Sequence, residues 1–207
     1  MRSFLGVLLL LAGCAAATVD MEEPRRIVGT ENSVRVDAQV IGDEARPGAQ
    51  IPITYEVTNQ RATAIAIAEL VPYTSYDAES HTFTVNVGSE VPGNEMLPRL
   101  VEIGPGEKKT FTAAARVHFT QPPGASVKAS PPAELRLKLN FLSDTAPFRQ
   151  LIGIKERAIA DRALADQLFP LWLERNEIVT TNSIPMRLLA RQRSATEGTG
   201  PRGGRRF

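Results

Sequence analysis

Phe111, Ala113, Ala115, Val117 and Phe119 fall on alternate positions, with Thr110, Thr112, Ala114, Arg116 and His118 between them. Only an extended backbone sends successive side chains to opposite faces, so this period predicts a strand with one buried face. His118 then lies on the solvated face. The same alternation recurs at Val34–Val40, Ile51–Thr58, Thr82–Val87 and Leu135–Phe141, and Thr63–Val71 and Leu97–Ile103 are two further candidates. Turn chemistry separates these stretches at Gly42, Pro47-Gly48, Asn59-Gln60, Gly88-Ser89, Pro92-Gly93-Asn94 and Gly104-Pro105-Gly106.

Seven short strands, most about ten residues apart, predict a mainly β fold, an antiparallel sandwich over residues 33–143, rather than an α/β enzyme. The stretch resembles the immunoglobulin-like domains of bacterial exported proteins, through Ile51-x-Ile53-x-Tyr55-x-Val57-x-Asn59 and through Gly104-Pro105-Gly106-Glu107 leading into the strand of Phe111. That resemblance implies a fold and carries no functional residue with it. The cysteine pair and core tryptophan of antibody domains are absent from this stretch.

After the sandwich, Lys155–Phe169 turns to Ala, Leu and mixed charge with helical spacing, and Pro170 is expected to end that helix. Trp172, Ile178, Val179, Ile184 and Met186 then supply apolar material, so residues 144–189 are expected to pack on the sandwich as a helical or irregular extension.

The chain opens with Met1-Arg2-Ser3 and the apolar run Phe4–Ala12, the pattern of a secretory signal peptide. A transmembrane helix needs about 20 apolar residues, so this run is too short to span. Leu11-Ala12-Gly13-Cys14 resembles the lipobox of bacterial lipoproteins. The resemblance implies cleavage between Gly13 and Cys14, removal of residues 1–13, and a diacylglyceryl thioether plus an amide-linked acyl chain on Cys14. Several acyl chains at about 0.8 kcal/mol per buried CH₂ make such an anchor permanent. Ala15, where an aspartate would direct retention, implies the outer membrane in a two-membrane host. Cys14 is the sole cysteine, so no disulfide is expected and stability must come from the core. Residues 14–32 are small, polar and charged without a sustained period, and are expected to be a flexible tether.

Charge is distributed unevenly. From Arg187 to Phe207 six arginines face Glu197 alone, giving +5, whereas the chain without residues 1–13 and without this tail has 17 basic and 22 acidic residues, giving −5. Residues 190–207 are expected to be a disordered basic tail, able to contact anionic lipid or glycan. Nucleic acid is not an expected partner of an exported chain.

No catalytic set is apparent. There is no Gly-x-Ser-x-Gly elbow, and the only cysteine is consumed by acylation. Gly104-Pro105-Gly106 lacks the Lys-Ser/Thr of a phosphate loop. His81 shares parity with Asp77 and Glu79 but lacks the compact spacing of metal ligands, so no metal is expected, and no cofactor beyond the covalent lipid on Cys14. The expectation is therefore a non-enzymatic envelope lipoprotein that binds another envelope protein or stabilises an assembly. Two alternatives remain open. One is a glycan or peptidoglycan binder using Tyr73, Tyr76, Asn94 or Trp172. The other is a protease inhibitor presenting the proline-rich loop 121–132.

Overall fold

A computed structural model describes residues 25–42, 48–88, 96–118 and 131–186. The first sheet has the order β1 (Arg25–Glu31), β2 (Val34–Val40), β3 (Gln50–Asn59), β9 (Lys108–Arg116), antiparallel throughout. Its buried residues are the alternating ones: Val34, Val36, Ala38 and Val40 on β2, and Ile51, Ile53, Tyr55 and Val57 on β3. The second sheet runs β5 (Tyr73–Asp77), β6 (Thr82–Val87), β10 (Glu134–Leu142), β4 (Ile65–Ala68), β8 (Leu100–Ile103). β12 (Asn176–Thr180) and β13 (Ile184–Pro185) pair with β10 as well. Phe83, Val85, Val87, Leu135, Leu137, Leu139 and Phe141 face the first sheet and join its buried residues in one core. The chain is thus mainly β and its core is that of a sandwich. One pair inside it, β6 with β10, is parallel, and β6 is buried at all six positions, as a strand covered on both faces must be.

A third layer lies outside the second sheet. Ala66, Ala68, Leu100 and Leu142 pack against Phe148 and Leu151 of a 3₁₀ turn (Ala146–Leu151) and against Ala165, Leu168 and Trp172 of α1 (Arg162–Arg175). Phe148 and Trp172 meet edge to face, with centroids 5.4 Å apart. A two-stranded ribbon of β7 (Met96–Pro98) and β11 (Ala158–Ala160) completes this layer.

Several expectations need correction. Residues 25–32, assigned to the tether, begin the domain: all seven residues of β1 pair with β2 through a two-residue turn in which Asn32 and Ser33 have φ of 51° and 57°. Such a turn matches the twist of the flanking strands, and its weak alternation, with only Ile27 and Gly29 buried, hid the strand. The helix begins at Arg162, not Lys155, because the Asp161 side chain caps it by accepting from the Leu164 N–H at 3.0 Å. It also passes through Pro170 to Arg175. The carbonyl deprived of its donor belongs to the exposed Asp166, where water is available, while Leu168 and Trp172 hold the helix down on both sides of the proline. The end of the extension is neither helical nor irregular: β12 and β13 fill the edge of β10 that β6 leaves bare. Leu97–Ile103 divides at Arg99 into β7 and β8, which pair with different partners, and only Ile65–Ala68 of the third candidate is a strand. The signal peptide, the lipidated segment and the basic tail lie outside the described residues.

A candidate binding groove along the β9 edge

The two edges of the first sheet are finished differently. On β1 the Val28 carbonyl accepts from the Asn182 N–H at 3.0 Å, and the Val28 N–H donates to Asn182 Oδ1 at 2.7 Å, so the edge is capped. On β9 the bonds at the two ends of its ladder with β3, Asn59 N–H to Glu107 O at 3.0 Å and Val117 N–H to Ala49 O at 2.9 Å, fix the alternation. Lys109, Phe111, Ala113 and Ala115 turn their N–H and C=O groups toward β3. Thr110, Thr112 and Ala114 therefore turn theirs outward, and among the described residues nothing bonds to them.

Beside this edge runs a groove of about 490 Å³. Its inner side is Phe111 and Tyr55, stacked with centroids 5.2 Å apart; its far wall is the connection from Glu69 to Pro72, and Arg157 stands at its rim. The wall is braced from behind: Arg99 Nε donates to Glu69 Oε2 at 2.6 Å, and the Arg99 N–H donates to the Arg157 carbonyl at 2.8 Å. Two hydrogen bonds close the ends, Thr74 Oγ1 to the Arg116 carbonyl at 3.2 Å and Lys109 Nζ to the Glu102 carbonyl at 2.6 Å. Leu70, Val71 and Tyr73 are exposed along the wall, Val71 at 77%. Such a cluster of exposed apolar side chains is the usual mark of a binding surface.

Two features give the groove its polarity. Tyr55 is 6% exposed, and its hydroxyl has no hydrogen-bond partner among the described residues. Burial, with the negative charge of Glu69 adding to it, pushes its phenol well above the ordinary value, so Tyr55 remains a donor. Around the edge Glu69, Glu56 and Glu107 are paired with Arg99, Lys108 and Lys109, whereas Arg116 and Arg157, both exposed, have no acidic partner among the described residues.

The residues named from sequence are scattered. Cys14, Gly13 and Asn94 lie outside the described residues, as do positions 121–130 of the proline-rich loop. Tyr73 and Tyr76 are on β5, not in a loop, three residues apart and so on opposite faces. Tyr76 Oη lies 3.0 Å from His81 Nδ1. Trp172 is fully buried against Phe148 and cannot stack on a ligand. The three aromatics therefore do not form one platform. His118 is exposed beside the buried Val117, as its parity implies. Asp77, the carboxylate near His81, accepts from Ser80 Oγ at 2.6 Å and from the Glu79 N–H at 3.0 Å, which makes it a turn residue. Among the described residues no three His, Cys, Asp or Glu side chains cluster to hold a metal, and no helix is long and apolar enough to cross a membrane.

The groove was not anticipated. Tyr55 and Phe111 read as ordinary core positions, and Leu70 and Val71 as part of a strand. The available signal was the run Leu70-Val71-Pro72-Tyr73, apolar without alternation, opposite an edge, TFTAAA, that carries no charge. Comparison with protein-family profiles, with curated proteins and with solved structures finds no match.

Proposed function

We propose that this chain is an exported lipoprotein, held at a membrane through lipid on Cys14, whose sandwich is a non-enzymatic protein-binding module. The observation that carries the binding half is the β9 edge, unpaired among the described residues, lying beside exposed Leu70, Val71 and Tyr73. Natural sheets normally blunt a free edge with charge, proline or a bulge, and the central stretch of β9 has none of these. The anchoring half rests on the lipobox-like Leu11-Ala12-Gly13-Cys14. Ten residues, 15–24, separate Cys14 from the start of β1, a reach of at most about 35 Å when fully extended. The domain thus works close to the surface that holds it, and the outer membrane is the surface that Ala15 favours.

Metabolic labelling with a palmitate analogue tests the anchor. Label on the wild-type chain and none on Cys14→Ser is the expected result; equal label on both would remove the anchor from the proposal. In-cell crosslinking of the lipidated chain tests the module, and a chain that remains uncrosslinked and monomeric in every preparation would contradict it.

A further inference from the structure

Resting on the protein-binding reading above, we infer that the β9 edge accepts an extended segment of a partner protein, apolar in its middle and acidic at the end beside Arg116, as a fifth strand of the first sheet. Its backbone pairs with the outward N–H and C=O groups of Thr110, Thr112 and Ala114, and alternate side chains enter the groove against Phe111 and Leu70.

Three independent observations converge on this occupant. The outward backbone groups of β9 supply main-chain pairing, which takes an extended segment of almost any sequence. Alternation along that segment would send every second side chain to the groove side, where Phe111, Tyr55, Leu70 and Val71 provide the apolar surface. Arg116 stands at one end of the edge and Arg157 at the rim, neither with an acidic partner among the described residues, whereas Lys108 at the other end is paired with Glu56; an acidic end is therefore matched beside Arg116 and a basic one repelled.

A second copy of the chain fits poorly. A two-fold antiparallel pairing that used the whole edge would centre on Thr112 and place Lys108 opposite Arg116 twice. Like charges directly opposite destabilise a strand pair.

The probe is a short synthetic peptide of alternating valine and threonine with aspartates at both ends, measured against the full chain. Its counterpart with lysines at both ends serves as the control. Wild type should bind the acidic peptide and bind the basic one at least about tenfold more weakly. Thr112→Pro removes an outward donor without touching the ladder to β3, and should weaken the acidic peptide about tenfold or more at an unchanged melting temperature. If that variant melts early, the double variant Arg116→Glu with Arg157→Glu decides, because it should reverse the preference between the peptides. Failure of wild type to bind the acidic peptide, equal binding of the two peptides, or an unaltered preference in the double variant would overturn the inference. So would a concentration-dependent dimer abolished by Thr112→Pro, which would make the occupant a second copy. Envelope crosslinks that persist in Thr112→Pro would leave the protein-binding reading standing and move the site elsewhere.

Discussion

The side-chain amide of Asn59 donates to the Ile103 carbonyl at 2.9 Å and thereby bonds β3 of the first sheet to β8 of the second. Its two N–H hydrogens are shared among that carbonyl, Thr63 O at 2.9 Å and Gly104 O at 3.1 Å, while Asn59 Oδ1 accepts from the Arg61 N–H at 3.0 Å. Asn59 and Ile103 are both fully buried, so the Ile103 carbonyl would otherwise be dehydrated without a partner, whereas Arg61, Thr63 and Gly104 lie nearer the surface.

Asn59→Ala should therefore cost about 1 to 3 kcal/mol, the range for leaving a buried carbonyl unsatisfied. Urea unfolding measures it. A loss of only a few tenths would mean that water replaces the amide at this end of the sandwich.

Acid stability depends on Asp37. The Arg35 guanidinium donates to Asp37 Oδ2 at 2.6 Å and Arg26 to Oδ1 at 2.5 Å, and Arg35 above all holds the carboxyl down from 3.8 to about 2. The folded state thus takes up the proton less readily than the unfolded one. The stabilisation is fully present above about pH 4 and disappears as pH falls toward 2. Asp37→Asn should flatten this part of a plot of urea midpoint against pH; an acid slope identical to wild type would remove Asp37 as its source.

Trp172→Ala should destabilise by about 3 to 5 kcal/mol, since it empties the centre of the outer layer. Trp172→Phe should recover a large part of that. Calorimetry separates this packing role from a ligand role, because both effects should appear in the protein alone.

Pro170→Ala should stabilise the protein by about 1 to 3 kcal/mol by restoring a helical hydrogen bond at an exposed position. A fall in melting temperature would show instead that the bend at the proline seats Trp172.

Where burial is one-sided the sequence announces it. β2, β3 and β9 lie where period-two alternation places them, because each has one face on the core of the sandwich and the other nearer solvent, and β6 and β10 keep the alternation with polar residues such as Thr82, Thr84, Asn86 and Asn140 on the face away from that core. β1 and β5 escape notice for the opposite reason: β1 buries only Ile27 and Gly29, and no residue of β5 is fully buried. The end of α1 is misplaced by its proline, whose local penalty is outweighed by the tertiary packing of Leu168 and Trp172. The groove is the least legible part. It depends on which backbone groups are left unpaired after strands distant in the chain have met, and no local pattern in Lys108–Arg116 states which neighbour it will have on each side.

The Arg25 guanidinium donates to the Pro185 carbonyl, so the first and last strands among the described residues meet at one corner. That corner belongs to β1, three strand spacings, or about 14 Å, across the sheet from β9. The domain thus has its handle on one side and its bare edge on the other. Whatever grips the protein at that corner leaves the β9 edge facing away from the grip.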